Sequence, residues 1–135
     1  MVAAKVGVVV VSYNAATAVR VTLASLRAAC TNTPFRLVLV DNASRADERE
    51  AIGAALSHHA ATNGTTWRML QQDRNLGFSG GNNVGIRSLL ADPAITHVCL
   101  LNSDVIVPHG WLDQLLASGK DIVSPVTNKA ESEQC

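Results

Sequence analysis

Val6-Gly7-Val8-Val9-Val10-Val11 is an apolar, mostly β-branched run that stops on Ser12-Tyr13-Asn14. It shows no polar alternation, so it reads as a strand buried on both faces, the pattern a parallel sheet requires. The rest of the chain parses outward from it. Val19, Leu23, Leu26 and Cys30 recur at helical spacing, with Asn14 or Thr17 as candidate caps, until Asn32-Thr33-Pro34 breaks the pattern. Phe35 to Val40 is a second apolar run, ending on Asp41-Asn42-Ala43-Ser44. Ser44, Asp47 and Glu48 form an acid-rich helix start, with Ile52 and Leu56 on its apolar face and Asn63-Gly64 closing it. Trp67 to Leu70 is a short third strand, followed by a glycine- and asparagine-rich turn from Asp73 to Asn83. That turn opens a helix with Ile86, Leu89 and Leu90 on its expected buried side, ended by Pro93. His97 to Leu101 is a fourth strand, Pro108 introduces a helix around Trp111 to Leu116, and Asp121 to Val123 begins a fifth strand.

Strands alternating with helices mean βαβ units: an α/β fold of three layers, with a mostly parallel sheet and helices on both faces. Residues 1–135 are one domain's worth of chain, and 47% hydrophobic residues supply a core. Eleven basic and eleven acidic residues cancel, which removes any broad electrostatic footprint for nucleic acid. The three cysteines fit neither a disulfide framework nor a zinc site; Cys30 and Cys99 sit among apolar residues and Cys135 is last. With an apolar run at Val6 to Val11 too short to span a bilayer, the expected location is cytoplasmic, at most peripheral to a membrane.

Function is expected where strands end. Right-handed crossovers bring Tyr13, Asp41 and Asp104 to the same sheet edge, because each follows the carboxyl end of its strand. Leu100-Leu101-Asn102-Ser103-Asp104 ends on a carboxylate that Pro108 places too far from the next helix to cap it. A single acid there suffices for Mg²⁺, which takes one or two protein carboxylates and completes its shell with water and phosphate oxygens. Tyr13 offers a ring for a nucleobase, or is a half-buried core aromatic. Asp41 offers a carboxylate for the nucleoside, or is a turn acid bonding its own backbone. Gly77, Gly80 and Gly81 allow close backbone approach to a ligand, with Asn82 and Asn83 as side-chain donors; a tight loop with asparagine caps is the alternative. No Gly-x-Gly-x-x-Gly follows the first strand and no Gly-x-x-x-x-Gly-Lys occurs, against a dinucleotide-binding dehydrogenase or a P-loop enzyme. His58 and His59 are adjacent and share no helix face, His97 and His109 lack a second ligand at useful spacing, and neither Ser12 nor Ser103 has an evident base.

Four stretches, V-V-V-V-S-Y-N from Val8 to Asn14, D-N-A-S from Asp41, N-L-G-F-S-G-G-N-N-V-G from Asn75 and L-L-N-S-D from Leu100, resemble the amino-terminal half of a family 2 glycosyltransferase. The likeness is nearest to the rhamnosyltransferase-like branch that builds bacterial surface polysaccharides. It implies a truncated GT-A fold of nucleotide-diphospho-sugar transferase type, and inverting sugar transfer from a nucleoside diphosphate sugar to a glycan or lipid-linked acceptor, assisted by Mg²⁺ or Mn²⁺. Ser12, Tyr13, Asn14 and Asp41 are then donor-binding, the Asn75 to Asn83 turn walls the donor site, and Asp104 is the catalytic metal carboxylate of the family's Asp-x-Asp motif. Asn102 replaces the first acid of that motif, and an amide is the weaker ligand, better suited to ribose or metal-bound water, beside Ser103. The family's general base lies in an acceptor-binding half, and after Asp104 the only acids are Asp113, Asp121, Glu131 and Glu133, none in a matching context.

Two outcomes follow: a glycosyltransferase, or its donor-binding part, completed by a homodimer or partner chain; or a non-catalytic, truncated nucleotide-sugar-binding module. A plain α/β interaction domain would bind no nucleotide. Exposed apolar surface toward the carboxyl end is expected if an acceptor half normally covers it.

Overall fold

A computed structural model describes residues 5–29, 32–63 and 66–125; Cys30, Gly64, Glu131, Glu133 and Cys135 lie outside these. The chain alternates β1 (Val6–Ser12), α1 (Ala16–Ala28), β2 (Phe35–Asp41), α2 (Ala46–Asn63), β3 (Trp67–Gln71), α3 (Gly77–Leu90), β4 (His97–Leu101) and α4 (Trp111–Ala117). The strands form one sheet in the order β3-β2-β1-β4, and all three pairings are parallel. The two long apolar runs, the second broken only by Arg36, are the two central strands, buried over most of their length. By contrast, β3 and β4, which carry Arg68 and His97, lie at the edges and are only partly covered.

Side chains at alternate strand positions feed two cores. Val6, Val8, Val10, Leu37 and Leu39 pack against Val19, Leu23 and Leu26 of α1, Ile52 and Leu56 of α2, and Trp111 and Leu112 of α4. Val9, Val38 and Val40 pack on the opposite face against Leu89 of α3. Connections β1–β2 and β2–β3 therefore cross on one face while β3–β4 crosses on the other. The order reverses beside β1, and that reversal opens a crevice at the carboxyl tips of β1 and β4. No helix among the described residues is long and apolar enough to cross a membrane.

Four local expectations are corrected. Neither Asn14 nor Thr17 caps α1: Asn14 takes a positive φ of 48°, and the Glu48 carboxylate accepts the Ala16 amide proton at 2.8 Å instead. On α3, Leu90 is 57% exposed, whereas Gly81, Asn82, Gly85 and Leu89 are buried. A buried stripe built largely of glycine carries no hydrophobic signal. It exists because α3 lies close on the sheet: a Cβ on Gly81 would sit 2.8 Å from Val11 Cγ1, and one on Gly85 would run into Val9. Pro108 is not the first residue of α4, which starts at Trp111 after Gly110 in the left-handed region. The fifth strand does not form over residues 121–123, which are exposed. After β4 the chain descends along α1 as a strap, with Val107 N–H donating to Ser25 Oγ and Gly110 N–H to the Ala29 carbonyl. It leaves the outer edge of β4 unpaired among the described residues.

Candidate functional site

Ser12 and Asp41 are register partners at the tips of β1 and β2, on the face that carries Val10 and Leu39. Both are buried to within 1%. Asp41 Oδ2 accepts the Ser44 amide proton at 3.1 Å, so the turn-acid reading accounts for one of its oxygens. The other, Asp41 Oδ1, and Ser12 Oγ are buried with no hydrogen-bond partner among the described residues. Buried oxygens left without donors cost about 1–3 kcal/mol each, more for a carboxylate, so this tip has acceptor capacity that the described residues do not fill.

The loops above these oxygens are fixed to one another. Asn14 N–H donates to Ser44 Oγ at 2.8 Å, and Asn14 Oδ1 accepts from Arg45 N–H at 2.8 Å. Tyr13 precedes Asn14 and is 53% exposed, outside the hydrophobic core, which leaves its ring open to a planar group. Asn42, also buried, ties the same corner to the glycine-rich turn: its Oδ1 accepts from Leu76 N–H at 3.3 Å and its Nδ2 donates to the Gly77 carbonyl at 3.0 Å. Asn42 and Ser44 lie in the D-N-A-S stretch, and Ser44 and Glu48 in the acid-rich helix start, but their tethering of these loops is not readable from either pattern. Their signal was position alone, a run of amide, hydroxyl and acid directly after a buried strand.

Within the turn the roles divide. Asn75 Oδ1 accepts from Gly77 N–H at 2.9 Å, and Gly77 turns the chain with a φ of 75°, a conformation costly for any residue with a Cβ. Gly80 abuts the Leu76 side chain, while Gly81 packs against Val11 and Asn42. Asn82 is buried and donates back to the Phe78 carbonyl at 3.1 Å, so its amide is spent inside α3; Asn83 and Phe78 are exposed.

The tip of β4 has a different character. Asn102 and Asp104 are exposed and Ser103 is half-buried. The Asp104 carboxylate makes no hydrogen bond or ion pair among the described residues, and α4 begins too far away for Asp104 to cap it. No group of three His, Cys, Asp or Glu side chains among the described residues could hold a metal ion. One free carboxylate beside an amide and a hydroxyl is a hard-oxygen donor set. It fits Mg²⁺ or Mn²⁺ only where phosphate oxygens and water complete the shell.

The Glycosyl transferase family 2 profile matches residues 7–127, nearly the whole chain. The chain belongs to that family. Among solved structures this glycosyltransferase family 2 chain is similar to S. aureus TarS 1–349 in complex with UDP, at 23% identity and a TM-score of 0.63 over 84% of this chain and 31% of that one. The complex of the same S. aureus protein with UDP-GlcNAc matches at 22% identity and a TM-score of 0.63, over 84% of this chain and 30% of that one. Mannosyltransferase PcManGT from Pyrobaculum calidifontis, in complex with GDP-Man and Mn²⁺, matches at 18% identity and a TM-score of 0.58, over 78% and 29%. At such identities these structures establish the fold, and the chain spans about a third of their length or less. No curated protein sequence matches.

For a family 2 glycosyltransferase the placement of the remaining acids matters. Asp113 is engaged at the amino end of the sheet, where it accepts from Asn32 N–H at 2.7 Å, Thr33 N–H at 3.0 Å and Thr33 Oγ1 at 2.6 Å. Asp121 is exposed beyond α4. Neither belongs to the carboxyl edge that carries Asp41 and Asp104.

Proposed function

We propose that the carboxyl edge of the sheet binds a nucleoside diphosphate sugar and that residues 1–135 act as a single donor-binding domain of a sugar transferase. The observation that carries this is the pair of buried, donorless oxygens, Ser12 Oγ and Asp41 Oδ1, beside the exposed ring of Tyr13. A nucleobase with an N–H edge supplies what Asp41 lacks and stacks on the ring, and the ribose reaches Ser12 and Asn14. Asn75, Gly77, Gly80, Gly81, Asn82 and Asn83 form the adjoining wall, the glycines by close backbone approach. Asn102 and Ser103 face the ribose-diphosphate side, and Asp104 holds Mg²⁺ or Mn²⁺ against the diphosphate. The cation supplies neutralisation of charge on the leaving diphosphate.

The reaction we propose is inverting: an acceptor hydroxyl oxygen bonds to the anomeric carbon as the bond from that carbon to the phosphate oxygen breaks. The hydroxyl proton passes to a base supplied from outside the described residues, and the nucleoside diphosphate leaves with the bonding electrons. The sugar is a hexose or a deoxyhexose such as rhamnose, and the acceptor a glycan or lipid-linked glycan on the cytoplasmic side of a membrane. Leu100 and Ile106, the latter 74% exposed, with Ile122 and Val123, give an apolar surface for the acceptor half, whether further chain, a second copy or a partner.

Calorimetric titration with uridine, thymidine and guanosine diphosphates, each with and without Mn²⁺, tests the donor site. One of the three should bind, and bind more tightly with metal. Binding of none would refute the reading, and binding without transfer to any acceptor or slow donor hydrolysis would favour the non-catalytic module.

A further inference from the structure

The Asp104 carboxylate is exposed and makes no bond among the described residues, yet the backbone on either side of it is held by a single buried hydroxyl. Thr22, in the second turn of α1, is 1% exposed and donates from Oγ1 to the Ser103 carbonyl at 3.0 Å and to the Val105 carbonyl at 2.8 Å. Ser103 and Val105 are the two residues next to Asp104 in the chain. A threonine inside a helix ordinarily turns its hydroxyl back to a carbonyl of its own preceding turn. Here the proton is shared across to another segment, holding the carbonyls of the residues on either side of the acid. Ser25, one turn on, donates to the Thr22 carbonyl at 2.8 Å and accepts from Val107 N–H at 3.1 Å, so the strap is pinned again below Thr22. Along the strap, residues 103, 105 and 107 are partly covered and 104, 106 and 108 are exposed, an alternation set by which carbonyls and amides α1 engages.

We propose that Thr22 is the positioning residue for Asp104: its hydroxyl fixes the backbone that presents the carboxylate to the cation. The inference rests on the donor-site reading above and adds a residue from a helix interior that none of the sequence motifs includes. The physical reason is the poverty of the site. Where a metal has several protein ligands, a small displacement of one is shared among them. Where the chain contributes one carboxylate, its placement sets the whole protein contribution, and groups that orient a ligand typically change metal affinity by roughly 10–100-fold when removed.

The test compares wild type, Thr22→Val, Thr22→Ser and Ser25→Ala in calorimetric titrations of the tightest-binding nucleoside diphosphate, with and without Mn²⁺. The quantity read is the gain in affinity that Mn²⁺ confers. Thr22→Val keeps the shape but loses the hydroxyl, and should lose roughly tenfold of that gain while metal-free affinity stays within twofold. Thr22→Ser should restore it, and Ser25→Ala, which frees only the lower end of the strap, should leave it unchanged. A Thr22→Val protein with the full gain, or one that loses metal-free and metal-assisted binding alike, overturns the proposal. If Thr22→Val does not fold, Thr22→Ser still decides: loss of the gain with the hydroxyl present would overturn it. Wild type that binds nucleotide with no gain from Mn²⁺ would remove the donor-metal reading itself, and the role of Thr22 with it.

Discussion

At the amino end of the sheet Lys5 and Arg36 both reach Asp92, at 2.7 and 3.0 Å, and Asp113 takes three protons from the Asn32-Thr33 loop. At the carboxyl end, 12 to 104 in the chain, Ser12 Oγ and Asp41 Oδ1 are buried without donors and the Asp104 carboxylate stands free among the described residues. One group departs from this at the amino end, the indole N–H of Trp111, which is neutral and packs edge-on against Phe35. The contrast separates two uses of polar chemistry. Paired acids close the fold, while unpaired ones leave capacity for a ligand. The division predicts that substitutions at the two ends fail in different assays.

The largest effect should come from Asp104→Ala. Because its carboxylate is exposed and unbonded, stability should stay within about 0.5 kcal/mol. Metal-assisted binding of the nucleoside diphosphate should disappear, and sugar transfer should fall on the order of 10²-fold or more. A variant that unfolds, or that keeps its response to Mn²⁺, would erase the contrast. Asp41→Asn is next. The amide oxygen can still accept from Ser44 N–H, while an NH₂ replaces the unpaired oxygen and meets a base N–H donor to donor. Nucleotide affinity should drop roughly 10–100-fold, with or without metal, at about 1.4 kcal/mol per tenfold. Equal binding by the variant would place the base elsewhere.

Gly85→Ala probes the scaffold between the two ends. The added methyl would meet Val9 and, at 3.3 Å, Val40, both on buried strands that cannot withdraw, so α3 must lift. Destabilisation of about 1–3 kcal/mol in denaturant unfolding is expected, with weaker nucleotide binding by the folded protein, because the helix that must lift also carries the wall from Gly77 to Asn83.

That glycine shows what kind of information the sequence holds. The strands are legible because β1 is an uninterrupted apolar run and β2 is broken only by Arg36, and the ends of β1, β2 and β4 place Ser12, Asp41 and Asp104 at one edge. The buried side of α3 was not legible. Gly81 and Gly85 are chosen for absence of volume, so a reading by hydrophobic period assigns the face to Leu90, which is exposed. Thr22 and Glu48 were hidden for a related reason: each serves a partner 32 or more positions away, Ala16 for Glu48 and the strap for Thr22. The fifth strand failed because edge pairing depends on where the chain goes after β4, and that is fixed by hydroxyls of α1 rather than by the β propensity of Ile122 and Val123.

The smallest effect, and the sharpest control, lies at Asp92. The Lys5 ammonium, the Ala94 amide and the Arg36 guanidinium hold its carboxyl down to about 2 from 3.8. A folded-state value below the unfolded one means stability that is complete above about pH 4 and is lost as pH falls through about 2. The difference in melting temperature between wild type and Asp92→Asn should therefore be constant from neutral pH to about 4, narrow below it and vanish near 2. Because the cluster is at the surface, high salt should shrink the difference as well. Nucleotide affinity at neutral pH should not respond to Asp92→Asn, since Asp92 follows α3 at the end of the sheet opposite the tips of β1 and β4. If affinity changed with Asp92 while stability did not, the assignment of closure to one end and ligand capacity to the other would be reversed.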